Sequence, residues 1–173
     1  MTYKMNTYNA ARLSLLSILA FLLLVRIKLI FSYSIDLDGA EFGFIHYAQL
    51  LLQHKPLYAN PNAFPYLPVL FTPCYPYLIS SLSNLFHLNY NNDIHQILVM
   101  ARTLSFLFLF VNAYLIFKIF KLFKLPSIYF LAMFTFYVLL ITGHFFATRP
   151  DALKTTAFTL FLYAVIQYSF FLS

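Results

Sequence analysis

The sequence predicts an all-α, multi-spanning membrane protein with about four transmembrane helices and one or two interfacial helices in a long first loop. Three observations predict it. Of 173 residues, 62% are hydrophobic and 9% charged, with a mean hydropathy of +0.77, a composition outside the range of soluble domains. The apolar runs are continuous over about 20 residues, the length a helix needs to cross hydrocarbon, and they lack the alternation of barrel strands. Four of the five acids (Asp36, Asp38, Glu41 and Asp93) and four of the five histidines gather in residues 36–95, between the first two runs.

Residues 1–12 form a polar N-terminus with Lys4 and Arg12, and the first span follows over 13–35, about 34 Å of helix. This run exceeds a signal-peptide core and has no small-residue cleavage site, so it reads as a retained anchor. Residues 36–93 form the first loop. Within it, from Gly39 to His54, apolar Phe44, Ala48, Leu51 and Leu52 oppose Gly43, His46 and Gln53, the pattern of a helix lying along a membrane surface with its apolar side down. Pro56, Pro61, Pro65, Pro68, Pro73 and Pro76 then exclude regular structure, and a second interfacial helix is expected from Tyr77 to His87, with Asn89 to Asn92 as a polar exit. The second span, 94–117, ends in a loop, 118–126, carrying Lys118, Lys121 and Lys124 before Pro126. The third span, 127–146, and the fourth, 152–172, are joined by residues 147–151.

Short-loop lysines and arginines mark the cytoplasmic side of a membrane protein. Lys4 and Arg12 fall on the same side as Lys118, Lys121 and Lys124 if the chain crosses four times. The expected localisation is therefore an integral, multi-pass position in a bacterial inner membrane or its equivalent, with the N-terminus cytoplasmic. All five acids and all five histidines then lie toward the opposite face. The net charge of +6 is scattered along membrane flanks and forms no soluble basic patch, which argues against a nucleic-acid partner. Cys74 is the single cysteine, so no internal disulfide or cysteine metal cluster can form.

Chemistry is expected where polar groups meet hydrocarbon. Asp36, Asp38 and Glu41 follow the first span, where partial desolvation and like-charge neighbours raise carboxylate pKa values, suiting a general base; the alternative is that they cap a helix and answer its dipole. Arg26 and Lys28 lie within the first span and either snorkel to the outer interface or meet a lipid phosphate. Arg102, in the second span, has the same two readings and a third, a buried ion pair with a loop acid. Arg149-Pro150-Asp151 is either a plain helix start with Thr148 as N-cap or a phosphate-holding arginine. His46, His54, His87, His95 and His144 lack ligand spacing, so no metal site and no cofactor are expected.

Five stretches carry a family resemblance: Asp38-Gly39-Ala40-Glu41; Ala48 through Tyr58, ending Leu57-Tyr58, with His54 or Lys55 where a Gly-x-x-Leu-Tyr ending has glycine; Phe71-Thr72-Pro73-Cys74-Tyr75-Pro76-Tyr77-Leu78; Ala101-Arg102-Thr103-Leu104-Ser105; and Arg149-Pro150-Asp151-Ala152-Leu153. Their order resembles the N-terminal part of the GT-C class of membrane glycosyltransferases, the family-39-like group related to protein mannosyltransferases and lipid A aminoarabinose transferases. The resemblance implies inverting transfer of a sugar from a polyprenyl-phosphate-linked donor to a lipid, glycan or protein acceptor on the non-cytoplasmic side. It implies a first-loop acid as base; many relatives carry an adjacent Asp-Glu pair, from which this chain departs by spreading Asp36, Asp38 and Glu41, and Asp38 is favoured over Glu41. Arg102 and Arg149 are the expected phosphate contacts, with Asp151, His46 and Tyr58 as further substrate-binding candidates and membrane lipids as surroundings. Members of that class have further spans, so the chain is expected to correspond to the N-terminal part only. Two rivals remain at this stage: a non-catalytic small membrane protein or truncated remnant, and a fragment of a lipid-linked-sugar transporter.

Overall fold

The computed structural model describes residues 2–32, 41–56, 74–140 and 151–172, and every regular element among them is a helix: α1 (Thr2–Ser32), α2 (Glu41–Leu52), α3 (Cys74–Leu85), α4 (Tyr90–Leu122), α5 (Ser127–Leu140) and α6 (Asp151–Leu172). Among the described residues, α1 over Thr7–Ser32 and α4 are long and apolar enough to cross a membrane, and α5 is a shorter apolar helix. Leu13, Phe21 and Leu24 on α1, Leu107 and Tyr114 on α4, and Phe158 and Phe161 on α6 all face outward. That much exposed apolar surface suits lipid better than water.

Several boundaries differ from the sequence reading, each for a local reason. α1 extends back to Thr2 because neither proline nor glycine interrupts residues 2–32, so the helix propagates through the polar start once nucleated. α3 begins at Cys74, ahead of the expected Tyr77, because Pro76 occupies the first turn, where a missing N–H costs nothing. α4 begins at Tyr90. Asn89 is its N-cap, accepting from the Asn91 N–H at 3.1 Å, while Asp93 accepts from the Asn89 N–H at 2.8 Å. Asp93 itself has non-helical angles (φ −118, ψ 24), so the expected boundary at Ile94 coincides with a break between one capped turn and the long helix.

Three helices end alike. His54, His87 and Lys124 each have φ 54, and each sits in a paired C-terminal bond pattern, such as His54 N–H to Leu51 carbonyl at 3.0 Å and Lys55 N–H to Leu50 carbonyl at 2.9 Å. Glycine usually fills this left-handed position, and a side chain there costs roughly 1 kcal/mol. A basic residue offsets part of that by facing the negative end of the helix dipole.

α4 is the hub, touching α1, α2, α3, α5 and α6. Its buried positions 98, 101, 102, 105, 109, 112 and 113 recur at three and four residues, one stripe that serves two cores. Near its N-terminus, Ile97, Leu98 and Ala101 pack with Ile45 and Ala48 of α2 and Tyr75 and Ile79 of α3. Further along, Phe106, Leu109 and Ala113 pack with Ile30 of α1, Phe134 and Val138 of α5 and Ala152 of α6. The apolar side of α2, expected to lie on lipid, is turned onto α3 and α4 instead: Glu41, Phe44, Ile45 and Ala48 are its buried residues.

Helix directions follow from paired contacts. Arg12 of α1 shares a cleft with Ser127 of α5, Leu19 shares one with Phe130, and Arg26 bonds to Val138, so α1 and α5 run the same way. α4 runs against α5, with Phe117 beside Phe130 and Asn112 beside Tyr137. α6 follows α4, since Leu153 joins the first core while Thr156 Oγ1 donates to the Phe108 carbonyl at 3.2 Å. Arg12, Lys118, Lys121 and Lys124 thus share one end of the bundle. Glu41, Asp93 and Asp151 lie toward the other, with His46, His54, His87 and His95.

Candidate functional site

The two cores meet at a buried polar layer. Arg102 and Glu41 are both 0% exposed and form a bidentate pair: Nε donates to Oε1 at 2.8 Å and Nη2 donates to Oε2 at 2.6 Å. The fork of the guanidinium matches the carboxylate in two parallel bonds. Glu41 reaches it because it heads α2 on the same side as Phe44, Ile45 and Ala48, at intervals of three, four and seven residues.

A second contact lies one turn along α4. The Tyr75 hydroxyl donates to the Ala101 carbonyl at 3.0 Å and lies 2.6 Å from Ser105 Oγ. A phenol has one proton to give, so Ser105 donates to Tyr75. Phe44 stands edge-on to the Tyr75 ring at 6.4 Å. Burial pushes the Tyr75 phenol above its ordinary pKa; the Ser105 bond pulls it down, and the Glu41 charge pushes it up. Tyr75 is therefore a neutral donor that fixes α3 to α4 beside the ion pair.

A third polar group lies deeper. Arg26 is 3% exposed, and its Nη2 donates to the Val138 carbonyl of α5. It neither snorkels nor waits for lipid phosphate. The protein supplies a backbone carbonyl, a common partner for intramembrane cations. Tyr137 interacts with it and lies 3.4 Å from Asn112 Nδ2. Lys28 is exposed.

The structure therefore brings Glu41 and Arg102 together and turns them toward each other, which is the third of the readings given for Arg102, a buried ion pair with a loop acid. Asp151 is the first-turn acid of α6, partly buried at the same end. His46 is half-buried against the Tyr47 ring at 6.3 Å. Asp36, Asp38, Tyr58 and Arg149 lie outside the described residues, as do Thr148, Pro150 and His144. Among the described residues, no group of three His, Cys, Asp or Glu side chains is placed to hold a metal.

One feature escaped the sequence reading. An open groove of about 590 Å³ lies between the end of α1 and the start of α4, with Phe31, Phe86, Val99 and Met100 as apolar walls and His95 and Gln96 as polar ones. His95 and Val99 are four residues apart on α4, and that spacing was the available signal. Comparison of the chain with family models, with curated proteins and with solved structures gave no match.

Proposed function

We propose that this chain corresponds to the N-terminal portion of a membrane glycosyltransferase that moves a sugar from a polyprenyl-phosphate-linked donor to a lipid, glycan or protein acceptor at the non-cytoplasmic face. In this reading the chain crosses the membrane four times, by α1, α4, α5 and α6, with its basic end in the cytoplasm. The observation that carries the reading is the bidentate Glu41–Arg102 pair, which fastens the acidic start of the first loop to the second span, opposite the end that holds Arg12 and Lys118. Asp38 precedes Glu41 by three positions in the sequence, and Arg149 precedes Asp151 by two. The resemblance to the GT-C class supports the same arrangement.

Roles divide by availability. Glu41 and Arg102 satisfy each other and act as positioning residues. Asp38 is the base that takes the acceptor hydroxyl proton, and Arg149 stabilises the departing lipid phosphate. The groove with His95 and Gln96 at its rim begins about one turn from Arg102 and has the size and apolar lining of a ligand site.

A second reading, a non-catalytic membrane subunit, is favoured by the complete burial of the ion pair, which holds helices together without any substrate. One assay separates the two. Membranes carrying the chain are given a labelled polyprenyl-phosphate sugar, and transfer is compared between wild type and Asp38→Asn. The enzyme reading predicts a loss of at least about 10²-fold, the lower bound for general-base catalysis, with membrane insertion unchanged. Equal transfer by both removes Asp38 from the mechanism and leaves the structural reading.

A further inference from the structure

Two grooves meet where α1 packs on α5, far from the buried ion pair. The first, about 150 Å³, is lined by Arg12, Leu16, Ser127 and Ile128 together with Phe130 and Leu131. The second, about 320 Å³, shares Phe130 and Leu131 and continues past Leu19 and Phe134 to Tyr114 and Phe117 of α4. Phe130 and Leu131 thus form a common wall between a groove with a polar mouth and an open apolar run.

The mouth is cationic. Arg12 lines it, and α5 begins there with no acid in its first turn. The residue before Ser127 is Pro126, which has no side-chain acceptor to cap the helix, so the positive end of the α5 dipole faces the mouth. Lys118 Nζ lies 5.3 Å from the Tyr114 ring centre and Lys121 Nζ lies 4.8 Å from that of Phe117. Both rings wall the apolar run.

We infer that these two adjoining grooves bind one anionic phospholipid of the cytoplasmic leaflet, its phosphate at Arg12 and the start of α5 and an acyl chain along Leu19, Phe130 and Phe134. Charge complementarity selects this occupant. A zwitterionic lipid would fill the apolar run equally well but would bring a choline or ethanolamine cation to a mouth that already holds Arg12. The inference rests on the membrane-spanning reading and is independent of sugar transfer.

The test is native mass spectrometry of the full chain, released from detergent after equilibration with equal amounts of phosphatidylglycerol and phosphatidylcholine of identical acyl chains. One phosphatidylglycerol is expected per chain, favoured about fivefold over phosphatidylcholine. Arg12→Gln is expected to erase the preference, and Lys28→Gln, at the opposite end of α1, to keep it. Leu131→Trp, which fills the shared wall, is expected to reduce retention of both lipids. Equal retention of the two lipids by the wild type, or a preference that survives Arg12→Gln, overturns the inference. Flotation with vesicles tests the reading beneath it: a chain that floats yet shows no lipid preference loses only this site, while a chain that does not float loses the membrane reading as well.

Discussion

Glu41→Leu is expected to destabilise the protein by about 3–5 kcal/mol, because it removes the carboxylate that faces the buried Arg102 guanidinium. Arg102 is 0% exposed, so water cannot replace the lost carboxylate without opening the packing of α2 on α4. Arg102→Met should cost a similar amount by stranding Glu41. The double variant, Glu41→Leu with Arg102→Met, is expected to recover most of the loss, since two apolar groups of similar volume incur no desolvation penalty. Detergent-unfolding titrations of the four proteins give the coupling directly. Losses from the two single variants that simply add in the double variant would mean that the pair is not a unit, and the polar layer would lose its central role.

Tyr75 carries the second large effect. Tyr75→Ala is expected to cost about 3–5 kcal/mol, the usual range for emptying a buried aromatic site. Its ring is 0% exposed, packed on Phe44 and seated among Ile45, Ala48, Ile79 and Leu98. Tyr75→Phe isolates the hydroxyl and should cost about 1–2 kcal/mol, because Ser105 Oγ loses its buried acceptor. Hydrogen exchange should show where the loss falls. Amides of α2 and α3 are expected to open first, while those in the second half of α4, which pack on α1, α5 and α6, stay protected. Uniform opening of all six helices would contradict the division into two cores.

What the sequence made legible depended on range. The apolar runs, the stops at Lys124 and Pro126 and the start near Asp151 are local signals, and the helices lie close to where those signals put them. Facing was harder. The stripe on α2 was visible, but lipid and protein are equally apolar, so periodicity alone did not reveal that Phe44 and Ala48 face α3 and α4. Partner choice was harder still. Glu41 and Arg102 are 61 residues apart, and an ion pair between a loop acid and Arg102 was one of three readings. The partner of Arg26 is a main-chain carbonyl, at Val138, which leaves no mark in the sequence. The left-handed ends at His54, His87 and Lys124 were hidden because the chain uses basic residues where glycine is the usual signal.

In the proposed arrangement the two ends of the bundle lie on opposite sides of a membrane, and Cys74 offers the most direct measurement. It is the single cysteine of the chain and is exposed at the start of α3. In sealed vesicles with the non-cytoplasmic face outward, a membrane-impermeant maleimide is expected to label Cys74 without permeabilisation. In a Cys74→Ser background, Lys124→Cys is expected to label only after the vesicles are opened. Labelling of both positions from the outside, or of Lys124→Cys alone, would contradict the arrangement on which the proposed site depends.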